Sequence, residues 1–238
     1  MKNEKQIHLP GGRDQLGFTL GNVKIKDQSI LIIGSGCEEV AKTFIREGAS
    51  KVELIVEDYE SLMNSNMLLS EADGLNPKMM DFEFTDFDEN QFDLVYAQAS
   101  ISTEKRNRIL KEIRRILKNE GILSVGEIVK LEEFVPQFVQ DIFNMSELDP
   151  LCCEKIEKFY TDRNFEIIDN QDYSKTLKEY YSLNLKKLEE TEDELGENEK
   201  SYYKKIISQL SHQSKVYLKQ GGDQFIGFYS LIAKVNKR

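Results

Sequence analysis

The sequence predicts an α/β protein built on a doubly wound, mostly parallel sheet of seven strands, and three observations carry that prediction. Short apolar runs of strand length alternate with helical segments between about residues 29 and 130. The runs are continuous rather than alternating with polar residues, as expected of strands buried on both faces. Parallel neighbours need helical crossovers, so the alternation itself calls for a parallel sheet.

Taken in order, Ser29 to Ile33 is the first strand, a run of aliphatic residues closed by Gly34. Val40, Ala41, Phe44 and Ile45 then recur at helical spacing from Cys37 to Glu47, and Gly48 stops that helix. Val52 to Val56 is the second strand. Asp58 to Ala72 reads as a helix carrying Leu62, Met63, Leu68 and Leu69, broken by Gly74-Leu75-Asn76-Pro77. Phe82 to Thr85 is predicted as the third strand and Phe92 to Ala97 as the fourth, ending at Gln98. Ile109, Leu110, Ile113, Ile116 and Leu117 mark one face of a helix from about Thr103 to Lys118, with Gly121 as its end. Ile122 to Val129 is the fifth strand.

Beyond Lys130 the pattern changes. Phe134 to Phe143 and Cys152 to Tyr160 read as helices, Phe165 to Ile168 as the sixth strand, and Tyr173 to Leu188 as an aromatic-bearing helix. Glu189 to Lys200, dense in Glu and Asp, reads as a solvated loop. Tyr203, Ile207, Leu210 and Tyr217 mark a long helix, and Gly221-Gly222 turns the chain into the last strand, Phe225 to Ala233. The expected organisation is a single domain over residues 1–238: an N-terminal segment (1–28), a ligand-binding core (29–130), a helical cap with the sixth strand (131–222) and the last strand (223–238).

Composition narrows the function classes. A formal net charge of -10 disfavours non-specific contact with nucleic acid or an anionic membrane surface. The longest apolar runs are strand-sized, short of the roughly 20 residues of a membrane span. Residues 1–9 lack the apolar centre of a secretory signal, so a cytoplasmic protein is expected. Cys37, Cys152 and Cys153 have no CxxC or Cys/His spacing, which argues against a zinc site or a disulfide framework, and no metal is expected. A small molecule is the expected partner, with a protein partner or a homo-oligomer also open.

Candidate site residues fall at the ends of the strands. Gly34-Ser35-Gly36 joins a strand to a helix, where glycines let the backbone approach a ligand and the helix N-terminus favours a carboxylate or phosphate. Glu57 lies 23 positions after Gly34, close to the roughly 20-residue offset at which α/β nucleotide folds place an acid on ribose hydroxyls. Asp58 competes for that role and alternatively caps the next helix. Tyr96 and Gln98 lie where the fourth strand reaches the carboxyl edge of the sheet, the usual ligand crevice, with Tyr96 on the substrate side.

The ordered motifs resemble the class I S-adenosylmethionine (SAM) methyltransferases. Ile30 to Gly36 resembles the family's first motif, Phe92-Asp93-Leu94-Val95 its "FDLV" strand, Ile116 to Gly121 its "LKPGG" helix end, and Gly227 to Lys234 its last strand. Leu9-Pro10-Gly11-Gly12, together with Asp172 to Lys178, resembles a bacterial branch related to arsenite methyltransferase-like proteins. The resemblance implies a Rossmann-like methyltransferase fold and SAM as cofactor, with methyl transfer to a small-molecule acceptor. It further implies that Gly34, Ser35, Gly36, Glu57, Asp58, Asp86, Phe87 and Gln98 line the cofactor site. Asp86 would contact the adenine amino group, while Phe87 or Tyr59 would cover the ring.

The first motif is degenerate. Ile32 replaces a usual acid and Glu38 a usual third glycine. A carboxylate at position 38 would repel the methionyl carboxylate of SAM, although it would also complement the dipole of its own helix. The alternative expectation is therefore a non-catalytic methyltransferase-fold protein, serving as a binding or scaffold subunit, in which SAM binding is weak or lost.

Overall fold

The computed structural model describes residues 6–194 and 197–237. The strands are β1 (Ser29–Ile33), β2 (Lys51–Val56), β3 (Lys78–Met79), β4 (Phe92–Gln98), β5 (Leu117–Lys130), β6 (Leu151–Cys152), β7 (Phe165–Asp172) and β8 (Ile226–Val235). The α-helices are α1 (Gly12–Asn22), α2 (Glu38–Arg46), α3 (Tyr59–Leu68), α4 (Arg106–Ile116), α5 (Gln137–Met145), α6 (Cys153–Thr161), α7 (Thr176–Glu194) and α8 (Glu197–Lys219). The sheet runs β3-β2-β1-β4-β5-β8-β7, with the two-residue β6 paired to β5 off that path. All pairings are parallel except those of β8 with β5 and β7. The predicted doubly wound α/β fold is thus the observed one, with one more short strand than expected.

Side-chain alternation along β1 divides the interior. Leu31 and Ile33 face a core completed by Ile109, Leu110, Ile113 and Ile116 of α4 and by Ile156 and Tyr160 of α6. Ile30 and Ile32 face the opposite core, with Leu16 of α1 and Val40, Ala41 and Phe44 of α2. The central strand therefore reads as continuously apolar because helices cover both of its faces. A third cluster joins Val139, Ile142 and Phe143 of α5 to Leu177, Tyr181, Val216 and Tyr217 of α7 and α8, over Ile128 and Phe228.

Several expectations are corrected. The third strand is Lys78–Met79, not Phe82–Thr85, which lies in the loop after it. Helix α4 ends at Ile116, and Gly121 falls inside β5. There the pairing jumps from Phe92↔Leu117 to Leu94↔Ile122, so extra residues loop out of the ladder and Glu120 takes a left-handed φ of 61°. Helix α1 was not foreseen in the N-terminal segment. The expected loop Glu189–Lys200 is helical on both sides of residues 195–196, which lie outside the described residues.

Candidate functional site

The carboxyl ends of β1, β2, β3 and β4 open on one edge of the sheet, where a parallel α/β architecture places its ligand crevice. Gly34-Ser35-Gly36 forms the tip of β1. The Gly34 N–H donates to the Ile55 carbonyl at 2.9 Å, and the Ser100 hydroxyl donates to the Ile33 carbonyl at 2.7 Å, so neighbours on both sides hold the tip. Gly34 has φ 118° and Gly36 φ 79°, conformations that disfavour a side chain. A Cβ on Gly34 would lie 2.5 Å from the Ser100 Cβ, and one on Gly36 would lie 3.1 Å from Leu9 Cδ2. Ser35 and Gly36 are exposed, and among the described residues no backbone carbonyl accepts from their N–H groups. With α2 starting at Glu38, this exposed turn sits at a helix N-terminus, where the helix dipole leaves partial positive charge.

Glu57 stands at the tip of β2, about half exposed, and accepts a hydrogen bond from Lys105 Nζ at 2.6 Å. Asp58 is the N-cap of α3: its carboxylate accepts from the Ser61 N–H and hydroxyl, each at 2.8 Å. A cavity of about 460 Å³ opens beside Glu57, lined also by Thr103, Lys105, Asn144, Glu147 and Leu148.

Asp86 and Phe87 are not brought to this crevice. Phe87 is buried edge-on against Phe92, the first residue of β4, with ring centroids 4.9 Å apart. That contact lies at the amino end of the strand, on the edge of the sheet opposite Gly34. Asp86 is exposed on the same stretch, which α4 holds through Glu112 to Thr85 and through Arg115 to the Thr85 and Phe87 carbonyls. Because β3 ends at Met79, the acid at its carboxyl end is Asp81, whose Oδ1 accepts from the Glu83 N–H at 2.8 Å. Sequence reading missed Asp81. The Met80 N–H bond to the Val56 carbonyl, at 3.0 Å, shows where the ladder ends.

Tyr96 and Gln98 lie on the predicted strand, but their side chains are buried and committed within the protein. The Tyr96 ring packs against Phe44 of α2, and its hydroxyl donates to Gln98 Oε1 at 2.7 Å. Gln98 Nε2 donates to the Pro10 carbonyl at 2.7 Å and the Gly12 carbonyl at 3.0 Å. The pair therefore anchors the N-terminal segment over the end of β4. Burial pushes the Tyr96 hydroxyl well above its ordinary pKa, and burial likewise pushes the neighbouring Cys37 thiol up.

The two departures in the first motif also have structural places. Ile32 is completely buried in the core beneath α1 and α2. Glu38 is buried at the start of α2, where the Ser65 hydroxyl of α3 donates to its Oε1 at 2.5 Å.

Comparison with known proteins agrees with this geometry. The chain has the Rossmann-like fold of the class I methyltransferases, and three solved structures illustrate the likeness. The [4+2]-cyclase SpnF superposes with a TM-score of 0.76 at 19% identity, covering 94% of this chain and 80% of that one. A putative sarcosine dimethylglycine methyltransferase from Galdieria sulphuraria gives 0.71 at 14% identity, covering 94% and 83%. Phosphoethanolamine N-methyltransferase 2 of Haemonchus contortus, in complex with phosphomonomethylethanolamine and S-adenosylhomocysteine, gives 0.77 at 16% identity, covering 96% of this chain and 54% of that one. In sequence, residues 31–125 match the methyltransferase domain family. No curated protein matches the chain in sequence. Among the described residues, no helix is long and apolar enough to cross a membrane.

Proposed function

We propose that this chain binds SAM in the crevice at the tips of β1, β2 and β3 and directs its methyl group to a small-molecule acceptor. The observation that carries the reading is the exposed, left-handed Gly34-Ser35-Gly36 turn at the start of α2, with Glu57 beside it on β2 and Asp81 beyond it after β3. The matched methyltransferase domain spans all of these positions.

The donor set suits the chemistry of the cofactor. The Ser35 and Gly36 N–H groups, at a helix N-terminus, suit a carboxylate. Glu57 offers acceptor oxygens to a vicinal diol, and Asp81 takes over the adenine-amino position first expected of Asp86. SAM supplies a sulfonium-activated methyl group. The protein's own contribution is to hold and orient the ligands and exclude water, so binding geometry rather than proton transfer carries the acceleration. A net charge of -10 favours the approach of a cationic ligand. A reducing cytoplasm suits the free thiols of Cys37, Cys152 and Cys153.

Calorimetric titration with SAM and S-adenosylhomocysteine tests the reading. Saturable binding that weakens about tenfold or more in Glu57→Ala supports it, in line with loss of a hydrogen-bonded carboxylate. Absence of heat at high ligand concentration refutes it.

A second reading is a binding or scaffold protein that does not use SAM. The fold alone does not commit a chain to methyl transfer, and SpnF, which shares it, is a [4+2]-cyclase. That reading is motivated by Ile32 and Glu38, the two departures in the first motif. The Glu38 carboxylate is buried and accepts from the Ser65 hydroxyl of α3, a neutral donor that does not cancel a carboxylate's charge. The same titration decides between the two.

A further inference from the structure

Strand order places β1 between β2 and β4, so the Gly34–Gly36 tip is flanked by the tips of those two strands. Lys105 closes that gap from above. It lies between β4 and α4, yet its Nζ reaches Glu57 Oε1 on the β2 side at 2.6 Å, with Glu83 Oε1 at 3.8 Å. The bridge therefore joins the strand ends on the two flanks of β1.

Both ends of this bridge are fixed in backbone and free in side chain. Glu57 precedes Asp58, whose carboxylate caps α3. Lys105 precedes Arg106, whose guanidinium is buried against Glu127 Oε2 at 2.8 Å and the Asp149 carbonyl at 2.5 Å. The side chains of Lys105 and Glu57 are themselves 49% and 45% exposed. Opening the bridge requires only side-chain rotation.

Resting on the cofactor reading above, we propose that Lys105 is a latch that competes with a ribose diol for the Glu57 carboxylate. It occupies the Glu57 carboxylate that a ribose diol requires, and it must swing away before that diol can engage both oxygens. Glu83 provides the alternative partner: Arg108 holds its Oε2 at 2.9 Å, and its Oε1 already faces Lys105. A ligand without a vicinal diol leaves the ion pair intact, so the latch weakens only a ligand whose diol must displace Lys105 from Glu57.

Calorimetry with S-adenosylhomocysteine, a zwitterion with no net charge at neutral pH, tests this without a bulk electrostatic bias. Lys105→Met should lower its Kd about two- to fivefold, the range set by an exposed ion pair. Lys105→Gln should do the same with a polar side chain, and Lys105→Arg should retain the wild-type Kd. Lys111→Met, the same charge change at an exposed position of α4 six residues on, should leave it unaltered. An equal or higher Kd in Lys105→Met and Lys105→Gln overturns the latch while leaving the cofactor reading intact. Failure of every protein, wild type included, to bind overturns both.

Discussion

Replacing Arg106 by methionine is expected to lower stability by about 3–5 kcal/mol, the cost of leaving one member of a buried ion pair alone. The guanidinium is 3% exposed and its partner Glu127 1% exposed. Arg106 Nε donates to Glu127 Oε2 at 2.8 Å, and the Tyr160 hydroxyl donates to Glu127 Oε1. Methionine fills much of the volume but leaves a buried carboxylate with Tyr160 alone and releases the Asp149 carbonyl. For a chain of this size each kcal/mol shifts Tm by about 2–4 °C, so a drop of roughly 6–20 °C is expected. Urea denaturation gives the free energy directly. The informative partner is Arg106→Met with Glu127→Leu, which removes both charges and should recover most of the loss, more completely when Tyr160→Phe also removes the orphaned hydroxyl. A single-variant loss below about 1 kcal/mol, far under that range, would refute the reasoning. So would a double variant no more stable than Arg106→Met.

Asp58→Ala should cost about 1 kcal/mol in urea denaturation through the lost cap and leave the Kd for S-adenosylhomocysteine unchanged. A fall in binding as large as that of Glu57→Ala would instead make Asp58 the diol ligand. Acid stability should depend on Glu112. Desolvation pushes its pKa up, but the Arg115 guanidinium and the hydrogen bonds from Thr85 outweigh that and hold it below the ordinary 4.5. A carboxyl depressed in the folded state stabilises above its unfolded pKa, and that contribution disappears as pH falls through the folded value. Glu112→Gln should therefore be less stable at neutral pH and lose less on acidification below pH 4.5, read from urea midpoints across pH. Identical pH slopes in the two proteins would refute this.

The central strands were legible because burial on both faces leaves a continuous apolar run, as in Ile30 to Ile33 and Phe92 to Ala97. Helix α1 was not, because the residues it buries include Gln15 and Thr19, so no apolar stripe marks it. Its polar face meets polar partners: Thr19 Oγ1 lies 2.7 Å from Ser124 Oγ, and Gln15 Nε2 donates to the Ala97 carbonyl at 3.0 Å. The third strand was misplaced because Phe82 and Phe84, one buried and one 71% exposed, imitate strand alternation within a loop. That slip put Asp86 and Phe87 at the expected carboxyl end of the strand, where the structure has Asp81. Glu57 and the Gly34–Gly36 turn stand directly after β2 and β1 as expected, because the strands before them were unambiguous. Lys105 was invisible, since its partner is 48 residues away and only the strand order brings them together.

The bonds from Gln98 to the Pro10 and Gly12 carbonyls join positions 88 and 86 residues apart. Their consequence concerns the order of assembly. Pro10 and Gly12 find their partner only after β4 has been made, and β1 likewise waits for Leu94 to Ala97 before its second flank is paired. The N-terminal segment must therefore dock late, onto a sheet whose middle already exists. Deleting residues 1–12 should leave that middle able to form while stranding the Gln98 amide without its two acceptors, a defect felt in unfolding rate more than in folding rate.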